Sequence, residues 1–387
     1  MYIQRDILTE LYDLAKHYPV VTLTGPRQSG KTTLLKQAFP SYVYYSLEDP
    51  DIRELAQQDP RRFLDTSTSN LILDEIQQAP MLLSYIQTLV DQSKKPGQFI
   101  LSGSQQFELT AAITQSLAGR TALLTLLPLS LKELQTHKKT SLDEQLFHGF
   151  FPRIYDQGLN PNKAYRNYYE TYIQRDLRQL ITIKDLHAFQ KFIKVCAGRI
   201  GQLFVASQIA NEIGVSVPTI QSWLSILETS YIIFLLQPYH SNINKRLTKT
   251  PKLYFYDVGL ATYLLEIELS TQISRDPLRG ALFENMVLME LIKSRYNQGL
   301  DHHLYFYRDS HQHEVDILFK SGQTLLPIEV KSSETYHSSF CKNLDYLAHI
   351  LPDQIQRGAI VYAGNLTQKI KQWELIHYSQ CDSILQV

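Results

Sequence analysis

The chain has 387 residues, of which 44% are hydrophobic and 20% are charged, which is typical of a globular protein with two or three domains. Its 38 basic and 38 acidic residues give a formal net charge of zero, which excludes the strongly basic class of nucleic-acid binders and leaves only a local patch for that role. The three cysteines are too widely spaced for a disulfide framework, which fits a reducing cytoplasm. The N-terminus contains acidic residues, unlike a signal peptide, and the apolar runs are too short to span a membrane, so a cytoplasmic protein without membrane contact is predicted.

The first predicted elements surround a glycine-rich loop. Residues 1–17 predict a helix, and residues 18–24, YPVVTLT, predict a buried parallel strand because they are mostly β-branched or apolar. The loop GPRQSGKT follows at residues 25–32, and residues 33–39 have helix-forming composition. The phosphate-loop pattern consists of Gly, any four residues, Gly, Lys, and then Ser or Thr. The position of this loop between a strand and a helix argues against a chance glycine-rich turn.

Each residue type in this loop has a physical reason. Gly25 and Gly30 allow backbone conformations that a side chain would block, and the loop amides together with the helix N-terminus form an anion site. Lys31 is expected to contact the β- and γ-phosphates, and the Thr32 hydroxyl to ligate Mg²⁺. The predicted nucleotide-binding residues of the loop are Gly25, Pro26, Arg27, Gln28, Ser29, Gly30, Lys31, Thr32 and Thr33.

The third predicted strand ends in two acids. Residues 42–47, YVYYSL, predict the second strand, and residues 71–76, LILDEI, predict the third. An apolar strand that ends in Asp-Glu downstream of a phosphate loop fits the Walker B pattern. Asp74 is expected to hold Mg²⁺, and Glu75 to orient and deprotonate the attacking water, because ligands bind at the carboxyl ends of strands in open α/β sheets.

Two more strands complete the predicted sheet. Residues 98–103, QFILSG, predict the fourth strand. Ser104 or Gln105, which follow it, could contact the γ-phosphate or the lytic water. The equally open alternative for Ser104 is that it caps a helix. Residues 122–129 predict the fifth strand. Arg120, just before it, is either an arginine finger or nucleotide sensor, or a member of an ordinary ion pair, which is the preferred interpretation.

Together, the segments GPRQSGKT, LILDEIQ, FILSGSQQ and SLAGRTALLTLLPLSLKEL resemble a widespread family of bacterial and archaeal AAA-type ATPases, related to the archaeal ATPase and STAND-like branches. The resemblance implies ATP as the nucleotide and a sheet whose fourth strand lies between the phosphate-loop and Walker B strands. It also implies that a region of unknown function follows the ATPase core. A finger such as Arg120 often acts on the ATP of a neighbouring copy, so a homo-oligomer is a further expectation.

The middle of the chain is predicted to be helical at first. Residues 149–156, GFFPRIYD, resemble the Gly-Phe-Pro segment of the same family, and the Tyr-rich helix predicted over residues 165–180 resembles its Tyr and Arg-Asp signature. Arg175 either reaches a nucleotide or partner subunit, or forms local ion pairs on its helix together with Asp176. The ion pair is the preferred interpretation.

A helix-turn-helix and a two-stranded wing are predicted next. Residues 204–213 and 217–230 predict the two helices, with a tight turn between them, and residues 231–239 and 252–257 predict the strands of a winged-helix pattern. The candidate DNA contacts are polar residues of the second helix and basic residues of the wing: Thr219, Gln221, Ser222, Lys245, Arg246, Lys249 and Lys252. Because the second helix has no Lys or Arg, a packing or protein-contact role is equally open.

The last predicted region combines helices and strands. A long helix over residues 278–295 contains Glu284, strands follow over 303–307, 314–319 and 325–331, and a helix over 338–350 precedes a strand over 358–362. Helix, three strands, helix, strand is the core order of the PD-(D/E)XK nuclease-like fold. Because alternate residues of a strand face the same side, Glu329 and Lys331 project together, and Asp316 on the adjacent strand can share that side.

These carboxylates predict a second metal site. Asp316 and Glu329, with the carbonyl of Ile328 or Val330, offer oxygen ligands for Mg²⁺ or Mn²⁺, and Glu284 could add another. The metal would activate a water and bind the scissile phosphate of DNA or RNA, while Lys331 stabilises charge or helps to deprotonate the water. The simpler alternative is an exposed face of alternating polar residues. His311 and His313, in the loop before Asp316, either assist a metal or are exposed loop residues, and the second interpretation is preferred.

The sequence thus predicts a multidomain α/β protein: a P-loop AAA-type ATPase domain at residues 1–135, a helical region with a winged-helix module at 136–265, and a PD-(D/E)XK nuclease-like domain at 275–387. ATP binding and hydrolysis would be coupled to a nucleic-acid-binding, metal-dependent nuclease domain. The alternative is an ATP-dependent switch whose C-terminal domain is an inactive docking module for a protein partner. The predicted catalytic residues are Lys31, Glu75, Asp316, Glu329 and Lys331.

Overall fold

The computed structural model describes residues 2–65, 69–93, 95–104, 113, 116–135, 140–176, 185–239 and 250–385, with residues 174–176 described by their backbone alone. The chain divides into two compact units. The first contains Met1–Leu129 together with Thr229–Tyr231 and Arg295–Leu300, and the second contains Ser130–Glu228, Ile232–Ser294 and Asp301–Val387.

The first unit is built on a sheet of five parallel strands. In chain order the strands are β1 (Val20–Thr24), β2 (Val43–Ser46), β3 (Leu71–Asp74), β4 (Phe99–Ser102) and β5 (Thr121–Thr125). Their order across the sheet is β2-β3-β4-β1-β5, and every neighbouring pair is parallel. The expected position of the fourth strand, between the phosphate-loop strand and the Walker B strand, is therefore confirmed.

Helices cover both faces of this sheet. They are α1 (Leu8–His17), α2 (Lys31–Ala38), α3 (Pro50–Gln58), α4 (Pro60–Phe63) and α5 (Leu82–Ser93). Leu71 and Leu73 of β3 pack in one apolar core with α5, whereas Ile72 between them packs in the other core with α1 and α2. Because successive strand residues point to opposite faces, this alternation produces three layers, with helices on either side of the sheet.

The second unit begins with helices. They are α6 (Leu131–Gln135), α7 (Leu142–His148), α8 (Pro152–Asp156), α9 (Pro161–Tyr168), the π-helical segment Tyr169–Asp176, α10 (Leu186–Gly198), α11 (Ala206–Ile213) and α12 (Val217–Thr229). Gly214 ends α11 in the left-handed conformation, with φ of 86°, which allows the tight turn into α12. The helices of the predicted helix-turn-helix are thus present.

An antiparallel strand pair and two helices follow α12. The strands are β6 (Ile233–Leu236) and β7 (Lys252–Phe255), and the helices are α13 (Val258–Leu264) and α14 (Ser270–Ile273). Three basic residues of the predicted wing, Lys245, Arg246 and Lys249, lie outside the described residues. The winged-helix identity of this module stays a prediction.

The C-terminal part of the second unit contains a six-stranded mixed sheet. Its elements are α15 (Arg279–Tyr296), β8 (Leu304–Arg308), β9 (Glu314–Ser321), β10 (Thr324–Lys331), α16 (Lys342–Ile350), β11 (Gly358–Tyr362), β12 (Gln368–Ile370) and β13 (Trp373–His377). The strand order is β12-β13-β11-β10-β9-β8. The pairs β8–β9 and β9–β10 are antiparallel, and β10–β11 is parallel. Strands β12 and β13 and the final 3-10 segment Tyr378–Leu385 had not been predicted from the sequence.

Helix length and polarity bear on membrane contact. Within the described ranges, the protein contains no helix that is both long and apolar enough to span a bilayer.

Candidate functional site

Glycines shape the loop between β1 and α2. Gly30 precedes α2 with φ of 93°, and Gly25 has φ of 140°, a conformation that residues with a side chain rarely adopt. A Cβ atom on Gly25 would also collide with the carbonyl oxygen of Leu126. Gln28 adopts the left-handed region as well, with φ of 64°. The loop therefore has the tight curvature that turns backbone amides toward an anion.

Lys31 is buried inside this loop, with 5% of its surface exposed. Its ammonium donates to the carbonyl oxygens of Gly25 and Pro26, at 2.8 and 2.9 Å. Burial lowers the pKa of Lys31 to about 8, although the charges of Glu75 and Asp74 oppose this shift. A buried cation held by neutral carbonyls is a strong attractor for phosphate.

Asp74, at the end of β3, collects three hydroxyl groups. Thr32 Oγ1 donates to Asp74 Oδ2 at 2.7 Å, and the Tyr44 hydroxyl donates to the same oxygen at 2.8 Å. Ser102 at the end of β4 donates to Asp74 Oδ1. The predicted Mg²⁺ ligands Thr32 and Asp74 are therefore adjacent at the carboxyl edge of the sheet.

Glu75 is held by groups from two loops. It has φ of 55°, a conformation uncommon for a residue with a side chain. Ser104 Oγ donates to Glu75 Oε1 at 2.6 Å, and the Ser104 amide donates to Oε2 at 3.2 Å. The side-chain amide of Gln77 also donates to Oε2, through its Nε2. Ser104 thus contacts the predicted catalytic acid, a role that the sequence analysis did not consider, and Gln105 lies outside the described residues.

The other predicted nucleotide residues differ in their surroundings. Arg27 lies 3.8 Å from Glu48, and Thr33 is exposed on α2. The Ser29 carbonyl accepts a hydrogen bond from buried Arg5, at 2.8 Å. Arg120 pairs with Asp91 through two hydrogen bonds of 2.6 and 2.8 Å. This is the ion pair preferred from the sequence, and a nucleotide role for Arg120 stays a prediction.

Three residues support the loop and the acids without having been predicted. Arg5 also donates to the carbonyl oxygen of Leu127, at 2.6 Å, and so ties the loop to the chain after β5. Tyr44 and Ser102 hold Asp74. A polar residue at the end of a buried strand was a usable signal for Ser102. Arg5 and Tyr44 carry no such local signal, because their partners are remote in sequence.

In the second unit, β9 and β10 bring the predicted C-terminal residues together. Lys331 Nζ lies 2.7 Å from Glu329 Oε1 and 3.5 Å from Asp316 Oδ2. The backbone amide of Val330 donates to Asp316 Oδ2 at 2.9 Å, so Val330 contributes its amide to this contact. The alternating geometry of β10 therefore directs Glu329 and Lys331 to one side, together with Asp316.

Glu329 combines burial with an unused oxygen. Its side chain is 5% exposed, and Oε2 has no hydrogen-bond partner within the described part of the chain. Burial, reinforced by the charge of Asp316, raises the pKa of Glu329 to about 8. A free buried carboxylate oxygen fits a cation ligand. Over the described ranges, however, no group of three or more His, Cys, Asp or Glu side chains has a metal-binding arrangement.

Glu284 on α15 is engaged by two residues of β7. It accepts a hydrogen bond from the Tyr254 hydroxyl, and its Oε1 lies 3.3 Å from the ammonium of Lys252. Lys252 Nζ also lies 2.5 Å from Oε1 of Glu314 on β9, and Glu314 Oε2 lies 3.2 Å from Nη1 of Arg308. The prediction that Lys252 is an exposed phosphate contact of the wing is wrong, because Lys252 is 2% exposed and its charge is used internally.

The loop before β9 also differs from expectation for one histidine. His313 is partly buried, lies 3.0 Å from Asp309 and stacks on Tyr346 with ring centroids 3.7 Å apart, so it is not a free loop side chain. His311 is exposed, as predicted. The side chains of Arg175 and Asp176 lie outside the described residues.

Comparison with protein families divides the chain into three matched regions. Residues 17–135 match the family described as AAA domain. Residues 139–271 match a domain of unknown function, DUF8612, and residues 279–381 match another, DUF4143. The first region is therefore an AAA-type P-loop ATPase-like domain, for which ATP binding is expected.

Sequence similarity to two bacterial proteins covers most of the chain. An uncharacterized protein of Mycobacterium tuberculosis is 29% identical over 366 residues, which cover 93% of this chain and 80% of that protein. An uncharacterized protein of Haemophilus influenzae is 22% identical over 348 residues, covering 80% of this chain and 82% of that protein.

Solved structures with similarity include a Walker-type ATPase of Pyrococcus abyssi, which has 15% identity and a TM-score of 0.47 and covers 68% of this chain and 96% of its own. AMPPCP-bound DnaA from Aquifex aeolicus has 15% identity and a TM-score of 0.30, covering 58% of this chain and 86% of its own. The assignment of the first region therefore rests on its family match and on its own geometry.

Proposed function

We propose that this protein binds and hydrolyses ATP, and that its nucleotide state controls a metal-dependent, nuclease-like C-terminal domain that acts on DNA or RNA. The observation that carries the ATPase part is the buried ammonium of Lys31, which has only the carbonyls of Gly25 and Pro26 as hydrogen-bond acceptors among the described residues. The triphosphate of ATP would supply the negative charge that this ammonium lacks.

The residues around Asp74 fit a Mg²⁺ ion that accompanies ATP. Thr32 and Asp74 are oxygen ligands of the type that Mg²⁺ prefers, and they are already in contact at 2.7 Å. When bound, Mg²⁺ would neutralise charge on the phosphate oxygens. Tyr44 and Ser102 would keep the Asp74 carboxylate in place.

Glu75 would accept the proton of the attacking water. Its carboxylate receives hydrogen bonds from Ser104 and Gln77, which would hold it until the nucleotide is in place. These donors fix the orientation of the carboxylate and contact both of its oxygens. Hydrolysis would then depend on whether the bound nucleotide displaces these contacts.

The C-terminal residues fit a Mg²⁺ or Mn²⁺ site through the unpartnered buried oxygen of Glu329 and the carboxylate of Asp316. When bound, the cation would activate a water and polarise a phosphodiester. Lys331 would stabilise the developing charge on the phosphate, whereas Glu284 already accepts a hydrogen bond from Tyr254 and pairs with Lys252. Nucleic acid would reach this part of the protein with the help of the winged-helix module, including the exposed Gln221 and Ser222 of α12.

The test is cleavage of plasmid and single-stranded DNA by the purified protein with Mg²⁺ or Mn²⁺, with and without ATP, beside the Asp316→Ala variant. We expect cleavage by the wild-type protein and none by the variant, while both hydrolyse ATP at the same rate. Equal cleavage by wild type and variant would place the activity elsewhere. Loss of ATP hydrolysis in the variant would mean that the two activities are not separable.

A second function is favoured by the composition of α12, which contains neither Lys nor Arg. In that function the ATPase domain is a slow switch, and the C-terminal domain is a docking module for a protein partner. It predicts a partner that is retained with ATP and still retained by Asp316→Ala and Lys331→Ala. Retention that requires these two residues would contradict it.

A further inference from the structure

Strand β7 brings a buried lysine into the C-terminal carboxylate set. Lys252 is 2% exposed, and its ammonium lies 3.3 Å from Glu284 and 2.5 Å from Glu314. Glu284 belongs to α15 and Glu314 to β9. Lys252 therefore joins two elements of the C-terminal part of the chain from a strand that precedes both in sequence.

The position of Lys252 is fixed by the backbone that carries it. Asn285, next to Glu284 on α15, accepts a hydrogen bond from the Phe255 amide at 2.7 Å and donates to the Phe255 carbonyl at 3.0 Å. Tyr254 donates to Glu284. Because Tyr254 and Phe255 hold β7 against α15, the backbone that carries Lys252 is fixed. Lys252 is therefore a buried part of the site and not a surface lysine.

Charges around the site nearly balance. Four carboxylates, those of Glu284, Glu314, Asp316 and Glu329, face three cations, those of Lys252, Lys331 and Arg308. Counted with all four carboxylates in the ionised form that binds a cation, the set carries one negative charge, and a single divalent cation changes this to one positive charge. A second divalent cation would raise the net charge to three positive charges in a largely buried place, which is unfavourable.

The open oxygen lies on one side of the set. Glu329 Oε2 has no hydrogen-bond partner among the described residues, whereas Oε1 of both Glu284 and Glu314 is occupied by Lys252. Glu329 therefore offers a free ligand atom, whereas Glu284 and Glu314 already have a counter-charge in Lys252.

We propose that Lys252 is a resident counter-ion that takes the place of a second divalent cation, so that the C-terminal site binds one Mg²⁺ or Mn²⁺ and not two. This inference rests on the proposed metal dependence of the C-terminal domain. It makes Lys252 a positioning residue for Glu284 and Glu314, contributed by the middle region of the chain.

The test is a Mn²⁺ titration of the full chain without nucleotide. The electron paramagnetic resonance signal of free Mn²⁺ measures how many ions the protein binds. Wild type and Lys252→Met are each compared with the same protein carrying both Asp316→Ala and Glu284→Ala, so that only ions bound by the C-terminal carboxylates are counted. We expect one such ion in the wild-type protein and two in Lys252→Met. One ion in both proteins, or two in the wild type, overturns the inference and leaves the proposed function standing. No ion in the wild type overturns both.

Thermal unfolding adds a readout with a matched control. Lys293 is a second buried lysine of the same unit, paired with Glu290 at 2.7 Å on α15. Both Lys252→Met and Lys293→Met are expected to lower the melting temperature, because each leaves a buried carboxylate without its cation. Added Mn²⁺ is expected to raise the melting temperature of Lys252→Met toward that of the wild type, but to leave that of Lys293→Met low.

Two results of that experiment bear on the counter-ion role directly. A Lys252→Met protein that folds only when Mn²⁺ is present supports it. A Lys252→Met protein that stays unfolded in Mn²⁺, or equal recovery of both variants by Mn²⁺, contradicts it.

Discussion

The two candidate sites each contain a lysine whose charge is opposed by burial, but the direct partners of the two ammonium groups differ. In the phosphate loop, a buried lysine has neutral carbonyls as its hydrogen-bond acceptors, and its pKa is lowered to about 8. In the C-terminal set, burial also opposes the charge of Lys331, but Asp316 and Glu329 raise its pKa above the usual value. Under the proposed function, the ligand of each site supplies a missing direct partner: an anion for the Lys31 ammonium, and a cation for Oε2 of Glu329, which accepts no hydrogen bond from the described residues.

Removing the buried cation of the phosphate loop has the largest expected effect. Lys31→Ala should lower the rate of ATP hydrolysis by about 100- to 1000-fold, since a preorganised charge facing the phosphates is lost. The measurement is steady-state phosphate release. The matched control is Lys36→Ala on the same helix, whose ammonium lies 3.7 Å from the Tyr44 ring centroid.

The control should retain nearly normal turnover, and Mn²⁺ binding that depends on Asp316 should be unchanged in both variants. Normal turnover in Lys31→Ala would remove the basis of the ATPase assignment.

Neutralising Glu75 tests whether the first site is catalytic as well as anion-binding. Glu75→Gln should lower hydrolysis by about 100-fold, because a positioned general base is lost, while ATP binding is retained. Single-turnover hydrolysis and equilibrium nucleotide binding are to be measured side by side. Glu48→Gln, which alters a half-exposed acid 3.8 Å from Arg27, is the control and should leave the rate within a few-fold. An equal loss in both variants would argue against a general-base role.

The lowered pKa of Lys31 predicts how ATP affinity depends on pH. As pH rises through about 8, the free protein loses the Lys31 proton, and binding of the triphosphate must restore it. Affinity should therefore fall roughly tenfold between pH 7 and pH 9, as proton linkage to one group requires. Nucleotide binding measured across this range checks it. Lys31→Arg keeps its charge and should show a flatter profile; identical profiles would contradict the shift.

The smallest expected effect concerns the support of Asp74. Tyr44→Phe removes one hydrogen bond to this carboxylate and should raise the Mg²⁺ concentration required for half-maximal hydrolysis by about fivefold, consistent with the loss of roughly 1 kcal/mol. Tyr45→Phe is the matched control, because the neighbouring ring packs on Phe63 at 4.7 Å. A Mg²⁺ requirement that is unchanged in Tyr44→Phe would show that Thr32 and Ser102 suffice.

The sequence by itself determined the elements whose signals are local. The phosphate loop between β1 and α2, the acids at the end of β3, and the alternation of Glu329 and Lys331 on β10 depend on spacing along a few residues. Strand periodicity and glycine conformations are set at that scale. The helices of the helix-turn-helix were predictable for the same reason, whereas short strands such as β12 carry too few residues for a pattern.

Only the tertiary structure decided which distant residues share a site. Lys252 reads as an exposed basic residue of a wing, but packing of β7 on α15 buries it against Glu284. Ser104 reads as a cap or phosphate contact, but it donates to Glu75. Tyr44 reaches Asp74 because β2 and β3 are neighbours in the sheet. Each of these contacts joins residues far apart in the chain, and their partners depend on how the elements pack, which no local pattern specifies.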